Sequence, residues 1–520
     1  MKIKRLISVL ACLLAICCLL TACDTSNLSS NGSTTNPSGS TTTTSTEKTT
    51  KPTPSLNFGT TRNEPKPEDM PHDEQLLLGG INITSFRIVY GATPLLQKIS
   101  NTKNTIAGDI ATRLQGENKD CKFDYESAVR LQTLIKDLFG YDVEIIDSSK
   151  AAKDISQYEI VLGNANSRVS HIRTTEGLKD EAYVCKFNTA VTNTPYHYIV
   201  AGGSYGATWH AIDAIEKYLR DELAKDPNAV IDIGKDLDLS GTYKFKTVAC
   251  IGDSITRGSQ AIPNGKDYGS ANGFAASLGN DALNTYLEKY LSYPATLQRE
   301  LWKDYLVYNY GQGWATMIDT TPNAPDNGPY YYNDTSKFAS CLARSNEANF
   351  DFDLVLIMLG TNDAGYFTWN EANKKKFLDE SENIITKIKA GSPNAKFVMM
   401  NAPHRCDGNA PLEKDVNTRA MQKETAIALK AKGYDVYHYD MEAYTIENLS
   451  ETGGVCGSTK SDELNVHDDF YNIRTETSKS DTTHPNHRGY GMIAAGMKDL
   501  VEYMLAEGEA PKYMINIDNP

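Results

Sequence analysis

The chain has 520 residues, with 52 Lys and Arg against 66 Asp and Glu, a formal charge of −14. That length exceeds one ordinary core and implies two or three domains once the N-terminal stretch is set aside. An acidic chain without a basic cluster offers no footprint for phosphate backbones, so no nucleic-acid partner is expected.

Residues 1–23 come first. Lys2, Lys4 and Arg5 form a positive start, and residues 7–20 are an almost unbroken apolar run, too short to serve comfortably as a permanent membrane span. Leu20-Thr21-Ala22-Cys23 resembles a bacterial lipobox. The resemblance implies cleavage before Cys23, lipidation of its thiol and a protein anchored at the bacterial cell surface; the alternative is an ordinary secretory signal with a cysteine nearby. Residues 24–73 are rich in Ser, Thr, Asn, Pro and Lys, with too little apolar surface to repay ordering, and read as a disordered tether. Of ten cysteines, Cys12, Cys17, Cys18 and Cys23 belong to the signal and lipobox. The other six are scattered without a CxxC spacing, which argues against a zinc ribbon; Cys406 and Cys456 are one conceivable disulfide pair.

Residues 74–239 alternate strand and helix patterns. Strands are expected at 86–90, 143–146, 158–162 and 196–201. Helices are expected at 125–139, with Ala128, Leu131, Leu134, Ile135 and Leu138 inward, and at 205–219. This order, with the runs Glu159-Ile160-Val161-Leu162-Gly163-Asn164 and Gly202-Gly203-Ser204-Tyr205-Gly206-Ala207, resembles the small non-catalytic domain that precedes the barrel in several glycoside hydrolase families. The resemblance implies a smaller α/β accessory domain. Gly202-Gly203-Ser204-Tyr205-Gly206 also fits the G-x-S-x-G nucleophile pattern. Its only downstream histidine in this segment is His210, on the elbow's own helix, so a plain strand-to-helix turn is favoured.

Residues 240–510 carry four blocks that suit one active-site edge. A strand at 246–251 turns through Gly252-Asp253-Ser254, a strand at 307–310 runs into Gly311-Gln312-Gly313, and a strand at 354–359 ends in Gly360-Thr361-Asn362-Asp363. The last block is Asp481-Thr482-Thr483-His484-Pro485, on a turn entering a helix. An Asp three residues before a His can reach imidazole Nδ1-H and leave Nε2 to accept a proton. A glycine N-H and an asparagine amide are suitable donors to an oxyanion.

Together the four blocks resemble the SGNH (GDSL-like) hydrolase superfamily over roughly residues 246–508. The resemblance implies a flavodoxin-like three-layer α/β/α domain with a parallel central sheet and a serine esterase that needs no cofactor or metal. Its catalytic residues would be Ser254, Asp481 and His484, with Ser254, Gly313 and Asn362 forming the oxyanion hole. The second block usually has Thr close after its glycine; here Gly313-Trp314-Ala315-Thr316 is wider, so Gly311 stays open as the donor. Remaining strands are expected at 396–400 and 436–439, and helices at 371–390, 413–432 and 488–505, with 511–520 a tail outside the domain.

Asp253, Gly311 and His404 are candidate pocket residues, while His438 and His467 lack a carboxylate at the DxxH spacing. Substrate choice is expected in the insertions 259–291, 319–349 and 442–479. Tyr330-Tyr331-Tyr332 with Trp314 and Trp369 could face sugar rings or form a buried cluster. Tether, accessory domain and esterase together suggest acetylated polysaccharide as substrate and a lipid anchor at Cys23 as the membrane contact. The alternatives are a lipid or cell-wall O-acetyl ester, or a non-catalytic carbohydrate-binding lipoprotein.

Overall fold

The computed structural model describes residues 75–91, 121–151, 158–163, 177–188, 196–259, 291–320, 329–403, 413–451, 471–472, 481–485, 487–506, 508–515 and 517. Residues 1–74, with Cys23 and the expected tether, lie outside them, as do His404, Cys406, Cys456 and His467.

In the strand Leu354–Met358 every residue is apolar and at most 1% exposed, which requires cover on both faces. It is central to a six-stranded sheet ordered Tyr305–Gly311, Lys246–Gly252, Leu354–Met358, Lys396–Met400, Val436–Tyr439, Met514–Ile515. The first five strands are parallel. The sixth is antiparallel, so the sheet is mixed, and it comes from the segment expected to be a tail. Two residues are too few for any periodicity to be read from sequence.

Alternation along each strand sorts the helices into two layers. Val248 and Cys250 face helices Tyr293–Glu300, Met441–Glu451 and His487–Ala506, through Tyr293, Leu297, Met441, Ile493 and Met497. Ala249 and Ile251 face Ser336–Ser345, Glu371–Gly391 and Glu413–Ala431, through Phe338, Phe377, Ile384 and Leu429. The helix Ser336–Ser345 lies within the expected insertion 319–349 and packs on this face of the sheet. Of its residues Phe338, Cys341 and Ser345 are buried, a single stripe at helical spacing.

The second six-stranded sheet runs Glu144–Asp147, Arg87–Tyr90, Tyr158–Leu162, Tyr196–Gly202, Ala182–Phe187, Gly241–Thr242. Its first four strands are parallel and its last two pair antiparallel. Helices Cys121–Phe139 and Tyr205–Lys225 share its core.

Both sheets belong to one compact unit, Pro65–Pro520. Trp302 packs on Phe123 and Trp209, with ring centroids 5.0 and 5.4 Å apart. Arg344 Nη2 reaches Glu181 at 2.9 Å, and Tyr308 donates to Asp180 at 3.0 Å. His210 places Nδ1 2.5 Å from Asp213 and Nε2 2.9 Å from the Lys303 carbonyl, and its ring stacks on Tyr243. Burial pushes the His210 pKa down, but Asp213, Asp304 and the Lys303 carbonyl outweigh it and raise it to about 9. A folded value above the unfolded value of about 6.5 gives a contribution fully present below that pH and lost as pH rises through about 9. The melting-temperature gap between wild type and His210→Gln is expected to be widest near pH 6 and to shrink by pH 10. A gap that stays constant over that range would refute this reading.

Candidate active site

Gly252 lies in register with Gly311 on one neighbouring strand and with Met358 on the other. Three strands thus end level, and the residues just beyond them, Ser254, Gly313 and Asn362, share the carboxyl edge where open α/β sheets bind ligands. The first turn is too tight for a side chain at its start: a Cβ on Gly252 would fall 2.0 Å from Thr256 Oγ1 and 2.7 Å from the Met358 carbonyl. Asp253 is fully buried and caps the short helix Ser254–Arg257, its Oδ1 accepting from the Ile255 N-H at 2.9 Å. Ser254 opens that helix, so its N-H has no acceptor within the helix.

His484 Nε2 stands 2.8 Å from Ser254 Oγ, across 230 residues of chain. The block Asp481–Pro485 is a short strand paired with Tyr471–Asn472, not the turn expected from sequence, and the helix His487–Ala506 follows it. Asp481 is on that strand; its side chain lies outside the described residues. Tyr490, fully buried on the helix, donates its hydroxyl to the Ser259 carbonyl at 2.9 Å and ties the histidine-bearing segment to the serine turn. An imidazole nitrogen at this distance can take the hydroxyl proton of a serine as the oxygen attacks an acyl carbon.

Register and hydrogen bonds separate the two glycines that the sequence left open. The Gly311 N-H donates to Asn309 Oδ1 at 2.9 Å and the Gln312 N-H to the Gly252 carbonyl at 2.9 Å, so both are occupied. Gly313 is buried, and its N-H makes no hydrogen bond among the described residues. A Cβ on Gly311 would lie 2.2 Å from the Arg257 nitrogen, so Gly311 serves close packing of the two turns. Asn362 Nδ2 donates one hydrogen to the Ala315 carbonyl at 2.9 Å and keeps a second amide hydrogen.

Three residues that sequence reasoning did not single out hold this geometry. Asn309 binds the Gly311 N-H and also reaches Ser292 Oγ at 3.2 Å. Asp363, fully buried, accepts from the Met317 N-H at 3.0 Å and the Ile318 N-H at 2.9 Å, fixing the segment beyond Gly313. Burial pushes its carboxyl up to about 7, against the lowering effect of those N-H bonds and with a further upward push from Asp253. Tyr490 is the third. Asn309 and Asp363 sit inside motifs already noticed and Tyr490 at the start of the helix expected at 488–505, which was the available signal.

Trp314 has φ 61°, the left-handed region, and is 58% exposed. A non-glycine residue there is strained by about 1–2 kcal/mol. Of the other aromatics proposed as a platform, Tyr332 is fully buried, Tyr331 bonds Glu380, and Trp369 donates to Thr418 at 2.7 Å. His438 is buried in its strand, and desolvation lowers its pKa to about 4.

The G-x-S-x-G serine, Ser204, is engaged as a cap: its hydroxyl donates to the Asp180 carbonyl at 2.7 Å and accepts from the Ala207 N-H at 3.1 Å. That turn borders a cavity of about 400 Å³ between the two sheets, away from Ser254. No group of three or more His, Cys, Asp or Glu side chains among the described residues is placed to hold a metal ion.

Residues 250–492 match the model of the GDSL-like Lipase/Acylhydrolase family. This segment is a GDSL-type serine ester hydrolase domain. No curated protein of similar sequence was found. Among solved structures, the chain resembles an active-site mutant of a family two carbohydrate esterase from Clostridium thermocellum at 15% identity and TM-score 0.29, covering 51% of this chain and 65% of that one. It also resembles an acetyl xylan esterase from the rumen bacterium Butyrivibrio proteoclasticus at 14% identity and TM-score 0.27, covering 51% and 66%. A third is a carbohydrate acetylesterase family member from Sinorhizobium meliloti at 17% identity and TM-score 0.29, covering 50% and 99%. The chain thus spans just under two thirds of the first two proteins.

Proposed function

We propose that this esterase removes acetyl groups from polysaccharide at the bacterial cell surface, through an acyl-enzyme on Ser254. The observation that carries the catalytic part is the 2.8 Å contact between His484 Nε2 and Ser254 Oγ. His484 takes the serine proton while Oγ attacks the acetyl carbonyl, giving a tetrahedral oxyanion. The Ser254 and Gly313 N-H groups and the second amide hydrogen of Asn362 receive that charge. Collapse expels the sugar oxygen, which takes the proton from His484, and water attacks the acetyl-serine by the same route in reverse, releasing acetate. Asp481 orients His484 and stabilises its charged form.

Lipidation of Cys23 would anchor the protein, and residues 24–73 would let the folded body reach an extended polymer. The GDSL-type domain supports ester hydrolysis; the carbohydrate part rests on the tether, the accessory-domain resemblance and the exposed aromatics near Gly313. The test is acetate release by the full chain from acetylated xylan and from a chromogenic aryl acetate, beside hydrolysis of a long-chain acyl ester. Acetate from the xylan is the expected result. Preference for the long-chain ester would replace the substrate class, and glycan binding without any hydrolysis would replace the enzyme reading itself.

A further inference from the structure

Four aromatic side chains stand out as exposed among the described residues: Tyr125, Trp314, Tyr330 and Tyr366. Tyr125 leans on Tyr90, with ring centroids 5.3 Å apart. The other three have no ring or hydrogen-bond partner for their side chains among the described residues, and all three lie on segments that build the Ser254 site. Trp314 sits between Gly313, the free N-H donor, and Ala315, whose carbonyl receives Asn362. Tyr330 gives its N-H to the Trp314 carbonyl at 3.0 Å and pairs in register with Ala315. Tyr366 ends the helix Thr361–Tyr366, four residues after Asn362. That spacing puts both on one helix face, about 6 Å apart along the axis.

The strain at Trp314 sharpens the argument. A left-handed turn at this position would suit glycine, and a bulky indole is instead held there at 58% exposure. Its backbone is pinned on both sides, by Tyr330 and by the Ala315 N-H donating to the Gln312 carbonyl at 3.2 Å. The indole itself makes no ring contact or hydrogen bond among the described residues. A strained, solvent-facing residue beside reacting groups is where a binding role is to be sought.

We infer that Trp314, with Tyr366 and Tyr330 beside it, forms the subsite for the leaving group of the ester, and that the group it takes is a neutral sugar ring presented face-on. A pyranose offers C-H groups on its flat faces, which suit the negative face of an indole. The backbone that carries the ring is already pinned and loses little freedom on binding. The inference deepens the carbohydrate reading and rests on it.

The test uses the full chain, a chromogenic aryl acetate and acetylated xylohexaose. Trp314→Gly keeps the left-handed turn without strain, so the variant is expected to melt no lower than wild type. Its kcat/KM ratio for the sugar ester over the aryl ester should fall about tenfold, chiefly through KM on the sugar. Tyr366→Ala should lower the ratio less, and Tyr125→Ala should leave it unchanged. A ratio equal to wild type in Trp314→Gly, with both esters still hydrolysed, overturns the subsite. Titration of acetylated xylohexaose into Ser254→Ala reads binding without turnover. Binding there that disappears in Ser254→Ala/Trp314→Gly supports the subsite even if wild type hydrolyses neither ester, a result that would sink only the esterase reading.

Discussion

Ser254→Ala is expected to lower kcat on an aryl acetate by about 10⁴- to 10⁶-fold while the protein folds and melts as wild type does. The hydroxyl is the only group the substitution removes, Ser254 is half-buried, and the cap on its helix comes from Asp253, so folding does not depend on it. His484→Ala should cost a similar factor. With Nε2 2.8 Å from Oγ the two groups form one unit, so the double variant should fall little below either single one. Asp481→Asn should lose about 10³- to 10⁴-fold by favouring the wrong imidazole tautomer. Rates are read with saturating substrate, and melting is followed by circular dichroism. Additive losses in the double variant would mean that Ser254 and His484 act separately, and a Ser254→Ala enzyme with more than a few per cent of wild-type kcat would require another nucleophile.

Three of the four blocks were legible because each follows a strand, and the fourth because its Asp-x-x-His spacing precedes a helix. Leu354–Met358 is wholly apolar and Lys246–Gly252 nearly so, and a glycine marks each strand exit. What sequence could not supply was register. Gly311 and Gly313 differ by two positions in a turn, and only the Gly252–Gly311 alignment and the Asn309 side chain show which N-H is taken. The small strands were illegible for a different reason. Gly241–Thr242 and Met514–Ile515 are two residues long and owe their conformation to a neighbouring edge. The role of Asp363 was illegible because Asn and Asp favour turns locally, and its two acceptor bonds reach residues more than 40 positions away. The exposure of Trp314 was equally unreadable, since a tryptophan more often joins a core.

Asp363 is also where the second large effect is expected. Its carboxyl is fully buried and receives the Met317 and Ile318 N-H groups, while its neighbour Asn362 binds the Ala315 carbonyl. Residues 313–318 are therefore held against the helix Thr361–Tyr366 by both side chains. Asp363→Ala leaves two buried N-H groups without acceptors, each costing about 1–3 kcal/mol, so a stability loss of about 2–6 kcal/mol is expected. Release of this segment misplaces the Gly313 donor, and kcat should fall by about 10²- to 10³-fold, the loss typical of one oxyanion donor. A purely structural role would instead lower the folded fraction and leave kcat per folded molecule intact, so the two are separated by active-site titration. The pH response is a second check. Burial lifts the folded carboxyl to about 7, above its unfolded value near 3.8. A raised folded value stabilises the protein fully below the unfolded value, and that contribution is lost as pH rises through about 7. Wild type should therefore lose melting temperature from pH 4 to pH 7.5 by an amount that Asp363→Asn, which cannot ionise there, no longer shows. Equal slopes in the two proteins would mean that Asp363 is ionised throughout, its two N-H bonds outweighing burial.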